Sequence, residues 1–488
     1  MTTTTSTSTQ TPQKSAVDRF FKISERGSSV TQEVRGGLVT FFAMAYIIVL
    51  NPLIIGGFSA DQAAVDVEGG WLPNHQVAAV TALVGGLMTL AMGLIANVPF
   101  GLAAGLGINS FLAFGLVGEL TWAEAMGLVV INGIIIVVLG LTGLRRMIFD
   151  AVPAPLKAAI TVGIGLFIAF IGFVDAGFVR TTGITAPPVQ LGDGGSITSL
   201  PTVVFIIALA LMGSLLALRV KGALLIGIVA ATVVAIILEA IFKVGPSLGT
   251  NPDAWNLNPP ALPTAVFSLP DFSLIGQFSF GSFERIGILA STMFIFTLVF
   301  MNFFDAIGSM TGLAKQAGIS YPNGQFPGLK RALVVEGVGA VAGGGASASS
   351  NTVFIDSAAG IGDGARTGLA SVVTGLLFLA AMFLTPLTSV VPLEVAAATL
   401  VVVGALMMAQ ITEIDFSDFR IALPAFLTIV VMPMTYNIAN GIGVGFIAWV
   451  LVNAVSGKLK QISPLLWIVA VLFVVFFARG PIEALLGA

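Results

Sequence analysis

Long apolar runs follow one another along almost the whole chain, parted by short polar stretches. A helix that crosses a bilayer needs roughly 20 apolar residues. Fourteen segments approach that length. The first seven lie near 36–56, 76–96, 99–118, 123–142, 153–173, 201–218 and 222–243. The second seven lie near 287–312, 329–344, 346–361, 366–388, 393–410, 420–436 and 438–456. A shorter apolar run, 464–478, follows and is either a further span or a helix packed outside. The pattern predicts an all-α polytopic membrane protein of fourteen transmembrane spans.

The basic residues test that count. With the N-terminus inside and the spans alternating, 17 of the 21 Lys and Arg fall on the cytoplasmic side. Only Arg180, Lys243, Arg285 and Arg479 fall outside. Cytoplasmic loops carry the excess of positive charge, so the asymmetry supports the count through residue 456. A loop rich in Pro, Ser and Asn, 244–286, divides the chain into two sevens. An odd number inverts one half relative to the other, and inverted repeats are typical of secondary transporters. The expected organisation is a disordered cytoplasmic tail (1–28), a first repeat (29–243), an extracellular inter-repeat loop (244–286), a second repeat (287–457) and a C-terminal segment (458–488). Met1 to Gln13 is rich in Thr and Ser without an apolar core, which reads as a tail and not as a signal peptide.

Composition narrows the class. The 488 residues are 56% hydrophobic and 9% charged, against about 25% charged in soluble domains. That excludes a soluble enzyme, a disordered chain, a coiled coil and a basic nucleic-acid-binding domain. The net charge of −3 argues for no polyanionic partner. Cysteine is absent and His75 is the single histidine, read as a loop residue among Pro73, Asn74 and Gln76. A two-histidine zinc site cannot form within one chain. No cofactor, metal ligand or catalytic residue is expected.

Two spans do not read as plain helices. They run from Pro99 through Asn109 to Phe111, and from Gly343 through Asp356 to Gly360. Each starts with small, helix-poor residues and turns helical after a polar one. They are the third and tenth segments, equivalent places in the two halves. Unwound backbone at membrane depth is tolerated where it lines a cavity or is buried in protein, and paired interruptions point to a transporter's site. Close packing of small residues accounts for the glycines, but not for Asn109 and Asp356 at matching positions.

Three carboxylates lie well inside apolar segments: Asp305, Glu336 and Asp356. An Asp at the bilayer centre costs roughly 2.5–3.5 kcal/mol on insertion scales, so each is a functional candidate. Asn302, Asp305 and Ser309 are spaced three and four apart and share a helix face. Glu336 sits close to Lys330 and Arg331, so a helix-end pairing and a conformational role both stand open. Asp356 follows Ser349-Ser350-Asn351-Thr352, and Ser357 opens a possible half-helix.

These motifs resemble the AzgA-like purine permeases, a branch of the nucleobase–cation symporter-2 family. The resemblance runs from Phe20 to about Phe477. It rests on Arg35 to Pro52, on Pro99 to Phe111 with its Gly-x-Asn, and on Phe304-Asp305-x-Ile-Gly. Asp356-Ser-Ala-Ala-Gly with Gly364-Ala-Arg-Thr-Gly-Leu, Ile421 to Pro433 and Tyr436-x-Ile-Ala-Asn-Gly add to it. The resemblance implies two inverted sevens arranged as core and gate domains, proton coupling, a purine cargo and a homodimer. It implies a substrate site on Asn109, the Asn302/Asp305 face and Asp356, to which the adjacent Ser357 is added. Asp305 and Asp356 become the proton-coupling carboxyls. Two positions depart from the family pattern: Asn302 stands where an acid is usual, and Asp356 where Glu is usual. The first loses a carboxyl; the second retracts one by a methylene.

The expected function is a carrier, not an enzyme. It imports a nucleobase, foremost a purine, by proton symport with alternating access at a midplane site. Its partners are the base, a proton, the lipid bilayer and a second copy of itself, with no nucleic acid. It sits in the cell membrane, N-terminus cytoplasmic. Phe41, Phe42, Phe100 and Phe111 are candidates to stack on the base. Four rival readings stay open: another heterocycle as cargo, an anion carried on the same inverted-seven fold, an intramembrane enzyme using two aspartates, and a passive channel. An anion site favours helix N-termini or a basic residue over central carboxylates.

Overall fold

The computed structural model describes residues 15–59, 63–142, 152–247, 251, 253–263, 265–321 and 325–478. The tail through Gln13, and Lys14, Arg145, Arg146 and Arg479 of the charge pattern, lie outside them. From Ser15 on, the segment expected to be a disordered tail has structure. Helix α1 (Ala16–Phe21) is capped by the Ser15 hydroxyl, and Arg26 donates to the carbonyls of Asn97 and Arg366 at 2.6 and 3.0 Å.

The first apolar segment is two helices, α2 (Val30–Met44) and α3 (Ile47–Ile55), broken at Ala45–Tyr46. Helix α4 (Asn74–Ala91) winds on through a π-type turn to Ala96. Then come strand β1 (Leu102–Ala104) and helix α5 (Leu106–Ser110), which a π-type turn carries to Leu116. Helices α6 (Trp122–Thr142) and α7 (Ala154–Asp175) lead to a small antiparallel pair, β2 (Val179–Thr181) and β3 (Val189–Leu191). Helices α8 (Leu200–Ala217) and α9 (Ala223–Phe242) complete the first half.

The second half opens on a short helix, α10 (Ser282–Arg285), and the 30-residue α11 (Gly287–Gln316). Helix α12 (Leu329–Gly345), strand β4 (Asn351–Val353) and the six-residue α13 (Ser357–Gly362) follow. Helices α14 (Gly368–Ala381), α15 (Leu393–Met407), α16 (Phe419–Met434), α17 (Ile438–Val455) and α18 (Pro464–Phe477) finish it. Side-chain caps fix many starts: Ser29 for α2, Ser199 for α8, Thr367 for α14, Asp418 for α16, Asn437 for α17 and Ser463 for α18. Each satisfies an amide that the first turn leaves without a partner.

Among the described residues, ten helical stretches are long and apolar enough to cross a membrane. This is an integral multi-pass membrane protein. Several of the fourteen expected segments are not long apolar helices, the third and tenth among them, as their small-residue stretches predict. Residues 329–345 form a helix, but it carries Lys330, Arg331 and Glu336. Residues 346–361 hold a strand and the start of a short helix. Leu106–Leu116, Phe419–Met434 and Pro464–Phe477 are shorter apolar helices. The last, with 14 residues, is about 21 Å long, less than the roughly 30 Å hydrocarbon core. It packs inward: Phe473 and Phe476 meet Phe296 and Phe294 of α11 at ring distances of 5.8 and 6.1 Å.

The helices gather into two bundles. In one, α6 packs on α12, and α14 on α2 and α4; in the other, α7 packs on α15 and α16, α8 on α9, and α16 on α17. Helix α11 belongs mainly to the first, through α6, β4 and α13, and touches α17 and α18 of the second. Helix α13 lies flat on α2 because both are bare where they meet. A Cβ on Gly360 would strike the Thr40 hydroxyl and the Gly36 carbonyl, and one on Gly36 would stand 2.7 Å from Ala365 Cβ. His75 is in the first turn of α4, not in a loop; it is exposed, with Nε2 3.7 Å from an Asp271 carboxylate oxygen. The hydroxyl and amide of Ser273, with the Gln76 amide, hold the Asp271 carboxyl down at about 2.

Candidate functional site

The two interrupted segments meet and pair. Strands β1 and β4 run antiparallel, with Leu102 opposite Val353, Ala103 opposite Thr352 and Ala104 opposite Asn351. The ladder extends at both ends: Phe354 N–H donates to the Gly101 carbonyl at 3.0 Å, and Gly105 N–H to the Ser350 carbonyl at 2.9 Å. Alanine and flanking glycine let the backbones approach. The remaining polar groups find side chains. Thr89 exchanges hydrogen bonds with both Leu102 backbone groups at 2.8 and 3.0 Å, and Ser357 Oγ accepts from Gly101 N–H at 2.9 Å. The unwound backbone is thus satisfied inside protein, the condition for its survival at membrane depth.

Beyond each strand a helix starts. Gly105 precedes α5 and Asp356 precedes α13. Both starts open on a cavity of about 430 Å³ between the two bundles, within the roughly 300–1,000 Å³ usual for small-molecule sites. The first bundle contributes the polar side chains of Tyr46, Asp305, Ser309, Thr352 and Asp356. The second contributes Thr161 from α7 and Gln410 just beyond α15. The rest is apolar, including Ile160, Ile164, Ile168 and Met407. Among the lining residues there are two carboxyls and no Lys, Arg or His.

Asp305 and Asp356, both picked out from the sequence, line this cavity. Asn109, Asn302 and Ser357 are fully buried and are not in its lining. Asn302 shares the helix stripe of Asp305 and Ser309, but its Nδ2 donates to Ser350 Oγ at 3.1 Å, holding α11 to the β4 arm. Ser357 ties the two arms, accepting from Gly101 and donating to the Phe354 carbonyl at 2.7 Å. The Asn109 amide group is buried with no hydrogen-bond partner, as are Thr352 Oγ1 and the side chain of Asn351. Polar groups without partners therefore concentrate around the crossing.

Four polar or aromatic lining residues were not singled out from the sequence: Tyr46, Thr161, Phe354 and Gln410. Gln410 carried a signal, being a polar residue at the end of an apolar run. Tyr46 and Phe354 are the aromatic side chains of the lining. Of the four Phe proposed as stacking partners, three pack elsewhere: Phe41 on Phe378 at 5.3 Å, Phe100 on Phe326 at 5.7 Å and Phe111 on Phe294 at 6.1 Å. Phe42 is half exposed and is not in the lining. Among the described residues no three His, Asp or Glu gather as a metal site.

One end of α13 carries a charged network. Asp363 takes Arg35 Nε at 2.5 Å and pairs with Lys221, which lies between α8 and α9 of the other bundle. Nearby, buried Glu33 accepts the backbone N–H groups of Arg366 and Thr367 at 2.9 and 3.1 Å.

Comparison with known proteins shows what the chain is similar to. The family model described as "Permease family" matches residues 31–444. The guanine/hypoxanthine permease PbuG of Bacillus subtilis (strain 168) is 36% identical over 462 residues, covering 94% of this chain and 98% of the relative. The adenine permease AdeP of Escherichia coli (strain K12) is 34% identical over 468 residues, covering 96% and 97%. Among solved structures, the transmembrane domain of a cyanobacterium bicarbonate transporter, BicA, superposes with a TM-score of 0.58 at 15% identity, covering 84% of this chain and 97% of that one. At that identity the likeness is one of fold alone.

Proposed function

The chain belongs to the Permease family, and from that premise we propose that it imports a purine nucleobase together with a proton. It is a secondary transporter homologous to purine permeases, and not an enzyme. The observation that carries the cargo reading is the pair of carboxyls, Asp305 and Asp356, facing a cavity between two bundles.

A nucleobase is flat and mostly neutral, edged with N–H donors and with carbonyl or ring-nitrogen acceptors. A carboxylate accepts N–H groups and offers no donor when ionised. Asp356 takes the donor edge of the base, and Thr352, Ser309 and Gln410 read the rest. Asn109, Asn302 and Ser357 support the strand arms from behind. Tyr46 and Phe354 supply apolar faces. Asp305 is the coupling group: a proton and a neutral base bound together leave the site less charged and easier to close. The bundle carrying β1, β4 and α11 then rocks against the other to alternate access.

The finer architecture is part of the same reading. The chain forms fourteen crossings as two inverted sevens, in the AzgA-like branch, and works as a homodimer in the cell membrane with a cytoplasmic N-terminus. Two strand-to-helix arms meeting antiparallel support the inversion. An anion as cargo has the fold likeness and the two helix starts in its favour, and against it the two carboxyls of a lining that carries no Lys or Arg.

The test is thermal stabilisation of purified protein by adenine, guanine, hypoxanthine, xanthine and uracil, beside uptake into proteoliposomes under an imposed pH gradient. A purine that stabilises the protein and accumulates with the gradient is the expected result. Folded protein that ignores all five bases, or uptake indifferent to the gradient, sinks the cargo or the coupling respectively.

A further inference from the structure

The first apolar segment breaks where it passes the cavity. Helix α2 ends at Met44, α3 starts at Ile47, and Tyr46 lies between them. The Tyr46 side chain is 1% exposed and lines the cavity. Its hydroxyl donates to Asp356 Oδ2 at 3.3 Å. Its ring leans on Phe354, two residues earlier in the same arm, with centroids 6.4 Å apart. Five residues on, Asn51 donates through Nδ2 to the Ala348 carbonyl at 3.1 Å and to Thr81 Oγ1 at 2.7 Å. Helix α3 and the residue before it therefore hold the β4 arm on both sides, at Ala348 and at Asp356.

A carboxyl on a short side chain swings about its last bond unless something holds it. The phenol grips one oxygen, and the packed ring fixes where the phenol stands. A buried tyrosine hydroxyl needs a partner, and the Asp356 carboxyl at 3.3 Å is the one it reaches. We propose that Tyr46 is the positioning residue of the substrate carboxyl: it holds Asp356 Oδ2 so that Oδ1 faces the cavity and accepts an N–H of the bound base. The assignment rests on the nucleobase reading of this site. Tyr46 itself acts through Asp356, so its effect belongs to affinity rather than to turnover.

The experiment measures uptake of radiolabelled hypoxanthine and adenine by wild type, Tyr46→Phe, Asp356→Glu and the double variant in proteoliposomes. Melting temperatures are taken alongside. Tyr46→Phe keeps the ring and removes only the hydroxyl. It is expected to raise KM several-fold, up to about tenfold, the size of one ordinary hydrogen bond, with Vmax unchanged and the protein folded. In the Asp356→Glu background the carboxyl moves out by a methylene and leaves the phenol, so the same change is expected to alter KM by less than about twofold.

An unchanged KM, a fall in Vmax alone, the same KM ratio in both backgrounds, or a Tyr46→Phe protein that does not fold each overturns the assignment. Wild-type protein that takes up neither base overturns the nucleobase reading, and the assignment goes with it. Wild-type uptake with an unaffected Tyr46→Phe variant overturns the assignment alone.

Discussion

Asp305 and Asp356 face one cavity from unlike supports. Asp305 projects from the middle of an unbroken 30-residue helix. Asp356 sits ahead of a six-residue helix, on an arm held by Tyr46, Ser357 and the β1–β4 ladder. A group on a jointed arm is suited to grip the cargo. A group on a continuous helix is suited to respond to the proton. Asp356→Ala is therefore expected to abolish thermal stabilisation by any base. Asp305→Asn, which keeps size and polarity, is expected to retain base exchange across the membrane and lose uphill accumulation. Counterflow and gradient-driven uptake measured on the same vesicles separate the two. Asp305→Asn vesicles that still accumulate substrate uphill would remove Asp305 from the coupling.

Asn302 gives the opposite case. It is fully buried, outside the lining, and donates to Ser350. Asn302→Ala removes that bond and leaves a small void, which costs about 1–3 kcal/mol. A lower melting temperature with KM changed by less than about twofold is the expected pattern. A large rise in KM at an unchanged melting temperature would move Asn302 from the wall into contact with the cargo.

The difference between these residues marks how far the sequence reaches. Asp305 and Asp356 stood out because a carboxyl is rare in an apolar run and costly there. Asn302 shares the Asp305 stripe by spacing, and spacing cannot say that Ser350 lies against one part of that stripe and the cavity against another. Tyr46 stayed hidden because a phenol ring blends into an apolar helix, and only the fold brings residue 356 against its hydroxyl. The same limit explains the segment 346–361. Its small residues mark it as interrupted, yet only the fold shows that they pair as a strand with Leu102–Ala104, a partner some 250 residues away in sequence. The predicted helices themselves were legible, because membrane helices are read from length and apolarity, which need no knowledge of neighbours.

The ion pair between Lys221 and Asp363 joins the two bundles at one end of α13. Asp363 is nearly buried while Lys221 and Arg35 are largely exposed, so the pair adds at most about 1 kcal/mol of stability. Its position matters more. If the bundles move against each other, this contact has to open in every cycle. The chain has no cysteine, which makes the test clean. Lys221→Cys with Asp363→Cys, joined by a short reducible thiol cross-linker, is expected to stop uptake, and reduction to restore it. Cross-linked protein that transports at the uncross-linked rate would show that the bundles keep this contact throughout.

Glu33 carries the heaviest structural duty near that end. It is 0% exposed, in the first turn of α2, and its two carboxylate oxygens receive the backbone N–H groups of Arg366 and Thr367. Asn97 Oδ1 receives the next one, from Gly368, at 2.8 Å. The start of α14 is therefore capped by side chains from α2 and from the turn after α4, which pins three distant stretches of the first bundle together. A carboxylate at a helix N-terminus also meets the positive end of the helix dipole. Glu33→Ala leaves two amides buried without acceptors, at about 1–3 kcal/mol each. Glu33→Gln keeps one acceptor oxygen but turns its NH₂ toward the other amide, so its loss should lie between those of the wild type and the alanine variant. Melting temperature and yield of folded protein are expected to fall in the order Glu, Gln, Ala, without a change in base preference among the molecules that fold. An alanine variant that melts with the wild type would mean that these amides find other acceptors, and would remove Glu33 as the clamp of the first bundle.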